Sequence, residues 1–169
     1  MLTNKKIKEN ENFQWAATFF ATFAAMYILL RVLFGIAVVN GESMYPTCND
    51  REIVFFNRLA DYTYGDVVIL ESQQLNELII KRVIGLPGDT IEIKSGTVIR
   101  NGAVINESYI NSDDPDTTTD FSVTVPNGTV FVLGDNRAHS TDSRYLGCLS
   151  DDLVLGVVFI GRKTAASTD

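Results

Sequence analysis

Residues Phe13 to Leu30 read FQWAATFFATFAAMYILL, eighteen positions without a charged side chain. As a helix rising about 1.5 Å per residue, the run spans about 27 Å, close to the ~30 Å hydrocarbon core of a bilayer. Trp15 and Tyr27 stand near its ends, where amphipathic aromatics favour the interface. Val32 to Val39 prolong the apolar stretch, and Arg31 can reach a headgroup layer along its own aliphatic stem. Lys5, Lys6 and Lys8 precede the run, and Arg31 is the only basic residue between Lys8 and Arg51. That bias sets the N-terminus inside and the bulk of the chain outside. A cleaved export signal also begins basic, but its apolar core is about 7–15 residues long and ends in small residues. Here the run is longer and passes into LRVLFGIAVV. The reading is a cytoplasmic 1–12, an uncleaved anchor over 13–33, an extracytoplasmic domain over 34–163 and a frayed tail at 164–169. The protein is thus expected in the cell membrane, crossing it once, with the lipid bilayer as a partner.

The 169 residues leave no room for two large domains, and 46% apolar composition suffices for one sizeable core. A net charge of −7 argues against nucleic acid as a partner, because phosphate binding needs clustered positive charge. One histidine, His139, and two cysteines, Cys48 and Cys148, cannot easily build a four-ligand metal site. No metal and no cofactor are expected. The same single histidine means that a hydrolytic serine here either uses His139 or finds another base. An acidic outer domain has no electrostatic pull toward anionic lipid, so any contact it makes with a membrane must come from apolar side chains.

After the anchor the pattern changes from helical to short β runs, rich in Val, Ile and Phe and broken by Gly, Asn, Asp and Pro. Strands are expected at 36–39, 53–57, 67–70, 78–84, 90–93, 97–100, 104–106, 121–125, 130–133 and 155–160. Asn101-Gly102 is the strongest hairpin signal, since a type I′ turn needs positive φ at both central residues. The polar stretch 111–120 reads as a loop. No long amphipathic helix follows Leu33, so the fold class is mainly β behind an N-terminal transmembrane helix.

Three segments carry chemistry-bearing side chains. Gly41-Glu42-Ser43-Met44-Tyr45-Pro46-Thr47 presents a serine in a turn, which by itself is most often only a turn residue. Leu78 to Asp89 (LIIKRVIGLPGD) holds Lys81 in a strand. Alternation sets Ile79, Lys81 and Val83 on one face and Ile80, Arg82 and Ile84 on the other, so whichever face is the core carries a cation between apolar neighbours. An edge lysine that guards against aggregation is the plain reading. The functional one is that burial disfavours the ammonium and leaves a neutral amine able to act as a general base. Arg82 cannot take that role, because a guanidinium stays protonated. Gly134 to Arg144 (GDNRAHSTDSR) is either a solvated loop or a polar brace, in which Ser140 orients an amine and Asp142 pairs with Arg144 or Arg137.

Taken together and in this order behind an anchor, Ser-Met-x-Pro-Thr, Lys-Arg-Val-Ile-Gly-Leu-Pro-Gly-Asp and Gly-Asp-Asn-Arg-x-x-Ser-x-Asp-Ser-Arg resemble the bacterial type I signal peptidases, in their short single-anchor Gram-positive form. The resemblance covers Gly35 to about Lys163. It implies a β-rich signal-peptidase-type catalytic domain and a serine endopeptidase that removes signal peptides from exported preproteins after Ala-x-Ala-like sites. It implies Ser43 as nucleophile and Lys81 as general base, with Ser140 hydrogen-bonded to the lysine and Asp142 and Arg144 as the charge pair that holds the site. Asp135, Asn136 and Arg137 match the structural start of that loop. Met44, Ile79 and Ile80 match the substrate groove. Gly41 stands where a side-chain hydroxyl would otherwise serve an oxyanion hole, so the donors there must be backbone N–H groups, that of Ser43 included. Cys48 replaces a bulky aliphatic. A non-catalytic, signal-peptidase-like pilus assembly factor is the alternative, and retention of both Ser43 and Lys81 counts against it. A self-cleaving Ser/Lys protease related to the SOS-response repressors would lack the anchor. Cys48 and Cys148 are either bridged on the oxidising side of the membrane or two separate buried thiols.

Overall fold

The computed structural model describes residues 2–110 and 120–159, with side chains from Phe13 onward. Its contacts divide the chain into two units, between Phe34 and Gly35. The first is a helix, α1, Leu2–Leu33. Within it Phe13–Leu33 has a mean hydropathy of 1.8 over its most apolar part and is, among the described residues, the one helix long and apolar enough to cross a bilayer. The hydroxyls of Thr18 and Thr22 donate to the carbonyls of Gln14 and Phe19. The helix's own backbone therefore satisfies these two hydroxyls, as a lipid environment requires.

The second unit is built on strands β1 (Phe34–Val38), β2 (Ile53–Asn57), β3 (Val67–Ser72), β4 (Glu77–Gly85), β5 (Thr90–Lys94), β6 (Thr97–Arg100), β7 (Ala103–Val104), β8 (Phe121–Thr124), β9 (Thr129–Leu133), β10 (Leu149–Ser150) and β11 (Val154–Val158). Seven of them form a sheet in the order β1-β2-β11-β3-β4-β9-β10, and four form a second sheet, β7-β6-β5-β8. Antiparallel pairing runs through both. The mainly β expectation holds, and most strands start and end within a residue or two of their expected bounds.

Strands β3 and β4 are the centre of the large sheet. Both carry near-continuous apolar runs because both of their faces are covered. Ile69 and Ile80 pack with Val39, Met44, Cys48, Val54 and Phe56 on one face. Val68, Leu70, Ile79 and Val83 pack with Val130, Val132 and Leu149 on the other. A third cluster, Ile84, Ile91, Ile93, Val98, Val125, Phe131 and Leu133, joins the two sheets. The β6–β7 hairpin turns at Asn101 (φ 52) and Gly102 (φ 79), the two positive values that its turn demands.

Besides two 3-10 turns, at Arg137–His139 and Asp151–Leu153, two short elements escaped the sequence reading. One is the single helical turn α2, Ser143–Leu146, which Asp142 caps by accepting from the Arg144 N–H, and the other is β10. At four and two residues, neither is long enough to show a period. The last expected strand stops at Val158, and β7 at Val104. Most of the 111–120 stretch and the 164–169 tail lie outside the described residues. The Cys48–Cys148 bridge does not form. Both thiols are free, Cys48 inside the first cluster and Cys148 against the third. Burial raises both thiol pKa values, Cys48 to about 11, so each behaves as a small apolar side chain.

Candidate active site

The turn after β1 presents the serine. Gly41 takes a left-handed backbone (φ 87) that glycine adopts without a Cβ penalty, and its N–H donates to Asp50 Oδ1 at 2.8 Å. Hydrogen bonds from Tyr45 N to Glu42 O and from Cys48 N to Met44 O tighten the turn. Met44 and Cys48, each 1% exposed, pin it to the core. Ser43, just ahead of Met44, stays half-buried and lines the groove. Because Asp50 takes the Gly41 N–H, Gly41 supports the site through its backbone shape and not as a free donor.

Lys81 reaches this hydroxyl from the centre of β4. Its Nζ lies 2.8 Å from Ser43 Oγ and donates to the Ile80 carbonyl at 3.0 Å. The residue is 4% exposed. Burial pulls its pKa from 10.5 down to about 8, against the opposing pull of the Asp142, Glu77 and Asp135 carboxylates. Desolvation wins because the ammonium has lost its water and none of these carboxylates forms a direct ion pair with it. An amine with a pKa near 8 is neutral in a useful fraction of molecules at physiological pH.

The 134–144 loop braces the pair. Asp142, fully buried, accepts from the Gly134 N–H (2.9 Å), from the Ser140 hydroxyl (2.7 Å) and from Arg144 Nε (2.8 Å). Arg144 also donates to the Arg137 carbonyl at 2.7 Å. Of the two partners left open for Asp142, Arg144 is the one that pairs, but the Ser140–Lys81 hydrogen bond that the resemblance implies needs correction. The Ser140 hydroxyl gives its hydrogen to Asp142, and Lys81 Nζ is held by Ser43 and the Ile80 carbonyl instead. The hydroxyl could still accept while it donates, so it is its placement beside Asp142 that leaves the amine to Ser43 and the Ile80 carbonyl. Arg137 pairs with Glu107, which the sequence reading did not single out, and not with Asp142.

A second brace ties both sides of the site together. Asp135 accepts two bonds from Arg82, at 2.8 and 2.6 Å, and one from the Thr47 hydroxyl. It thereby links the residue beside Lys81 to the end of the serine turn. Gly134 permits the close approach. A Cβ there would fall 2.2 Å from Ser140 Oγ and 2.5 Å from the Ser43 carbonyl. That carbonyl accepts from Asn136 N at 3.0 Å. A glycine at a strand end ahead of a polar loop was the only sequence signal for this contact.

Ser43 and Lys81 line a groove of about 530 Å³. The end of β1 and the residues after it, 36–42, and the β4 residues 77–80 line it, together with Met44, Ile69, Leu75, His139 and Thr141. Met44, Ile79 and Ile80 are buried at the groove and give it an apolar floor. β9 pairs with β4 only from Arg82 onward, whereas β3 covers the opposite edge from Glu77 to Arg82. Among the described strands, none pairs with the groove-side edge of 77–81.

A serine hydroxyl in contact with a buried amine, on the floor of an open groove in a β-rich domain, is the equipment of a hydrolase that cuts extended peptides. The chain belongs to the signal peptidase, peptidase S26, family, which matches residues 12–161. It is 35% identical over 170 residues to signal peptidase I P of Bacillus subtilis subsp. natto, covering 93% of this chain and 92% of that one. It is 34% identical over 164 residues to signal peptidase I T of Bacillus subtilis strain 168, covering 89% of this chain and 85% of that one. Among solved structures, a signal peptidase I from Enterococcus faecalis V583 superposes with a TM-score of 0.53 at 34% identity, over 59% of this chain and 98% of that one.

Proposed function

We propose that this signal peptidase is a membrane-anchored serine endopeptidase that cuts signal peptides from exported preproteins after Ala-x-Ala-like sites, with Ser43 as nucleophile and Lys81 as general base. One observation carries this reading: Nζ of a lysine 4% exposed lies 2.8 Å from the Ser43 hydroxyl oxygen. In the neutral amine the same contact can reverse, so that Oγ–H donates to Nζ and passes its proton as Oγ attacks the scissile carbonyl. The acyl-enzyme forms, the protonated Lys81 gives the proton to the leaving amine, and the amine then activates water for deacylation. The Ser43 N–H supplies a backbone donor to the developing oxyanion. Ser140, Asp142, Arg144 and Gly41 hold the turn and the loop in place. Met44, Ile79 and Ile80 give shallow apolar walls that suit small residues before the cut. The unpaired edge of β4 supports binding of the signal peptide as an added strand.

The apolar span Phe13–Leu33 supports a single-pass anchor, and the lysines ahead of it support a cytoplasmic N-terminus with the catalytic domain outside. The test is cleavage of a preprotein by the full chain in detergent, with Ser43→Ala and Lys81→Ala beside it. Each variant should lose cleavage to background, because removing one member of a unit costs about as much as removing both. Activity persisting in Ser43→Ala would sink the assignment.

A further inference from the structure

We infer that Glu107, just after β7 in the connection between two strands of the small sheet, is a positioning residue for the reaction, holding the Ser43 turn in register through Arg137 and Gly134. The inference rests on the Ser43–Lys81 reading above.

The chain of contacts is short. Arg137 is 2% exposed at its side chain and Glu107 9%. The guanidinium forks onto both Glu107 oxygens, with NH1 donating to Oε2 at 3.1 Å and NH2 donating to Oε1. The same guanidinium donates from Nε to the Gly134 carbonyl at 3.1 Å. Gly134 in turn packs so closely against the Ser43 carbonyl that no Cβ fits between them, and its N–H is fixed by Asp142. Glu107 thus sets the position of Arg137, Arg137 that of Gly134, and Gly134 that of the backbone beneath the nucleophile.

Glu107 also reaches the base side of the site. It accepts the Tyr109 hydroxyl at 3.0 Å, and the Tyr109 ring lies 4.0 Å beneath the Arg82 guanidinium, next in sequence to Lys81. One two-turn segment outside the three motifs therefore touches both cations that flank the dyad. A bidentate buried pair restricts a guanidinium far more than solvent or a single acceptor would. Without the carboxylate, Arg137 is left as a buried cation lacking its counter-charge. It then moves toward water and releases Gly134. A displacement of about 1 Å at a reacting group can cost about 10²-fold in rate.

The experiment uses the full chain in detergent and a short peptide carrying an Ala-x-Ala site. Ser43→Ala, Glu107→Gln and the double variant Glu107→Gln with Arg137→Met are compared with wild type. kcat and KM are measured per folded molecule, with the folded fraction taken from near-ultraviolet circular dichroism. Glu107→Gln should lower kcat by about 10²-fold and leave KM within about twofold, because the groove walls are untouched. The double variant leaves no uncompensated charge, so it stays folded even where the single variant does not, and it should show the same kcat loss because Gly134 still lacks its donor. A kcat within about threefold of wild type in the double variant overturns the inference, as does an equal rise in KM that accounts for the whole effect. Both outcomes presuppose an inactive Ser43→Ala. Activity in that variant brings down the dyad reading, and this inference with it.

Discussion

Lys81 should cost the fold stability in the state where it is charged, and Lys81→Met measures how much. Burial lowers its folded-state pKa from 10.5 to about 8. Between those values the unfolded chain holds the proton and the folded chain does not, so stability rises with pH across that window. Below about pH 8 both states are protonated and the full cost of burying the charge is present. At about 1.4 kcal/mol per pH unit, that cost is on the order of 3 kcal/mol. Methionine fills a similar unbranched volume without a charge. It forfeits the bond to Ser43, worth about 1 kcal/mol. The expected net gain near pH 6 is therefore about 2 kcal/mol, or about 4–8 °C in Tm for a chain of this size. Near pH 10 the charge cost has largely gone, and the variant should be level with wild type or slightly below it. Thermal melts of both full-length proteins in detergent, followed by circular dichroism, read the difference directly. A variant no more stable than wild type near pH 6, or one with the same increment near pH 10, would refute desolvation as the cause of the depressed pKa.

Two further outcomes follow from the same geometry. The acidic limb of kcat/KM should fall near pH 8, where Lys81 loses its proton in the free enzyme. On the proposed reading, in which the amine is the base, it should be unchanged in His139→Ala. A limb near the 10.5 of a solvated lysine would contradict the burial. Gly134→Ala should fold with a shifted loop and lose at least about 10²-fold in kcat, because its Cβ would sit 2.5 Å from the Ser43 carbonyl. Wild-type turnover in that variant would show that the contact has slack.

The N-terminal apolar helix and most of the strands were legible because their signals are local. A charge-free run of eighteen residues reads as a span wherever it lies, and Asn101-Gly102 turns a hairpin without help from distant residues. The fourteen residues from Gly134 to Gly147 were less transparent, because their hydrogen bonds depend on which carboxylate comes nearest. The resemblance paired Ser140 with Lys81, yet the folded loop puts Asp142 Oδ2 at 2.7 Å from that hydroxyl. Arg144 and Arg137 were both open as partners for Asp142; the fold gives Arg144 to it and hands Arg137 to Glu107, thirty positions upstream. The two cysteines looked bridgeable because each borders a site segment, but the fold assigns them to different apolar clusters.

The sequence alone determined which residue types were available. It offers one histidine, a serine in a glycine-containing turn, and a lysine alternating with isoleucine and valine, and the family resemblance pairs that hydroxyl with that amine. Tertiary structure alone decided that the pair meets. Ser43 and Lys81 lie 38 positions apart, and only the packing of β3, β4 and the serine turn closes that separation to 2.8 Å. It also decided the protonation of Lys81. A pKa near 8 belongs to no residue by itself, because it measures how much water the surrounding strands and loops have displaced and how far the nearest carboxylates remain.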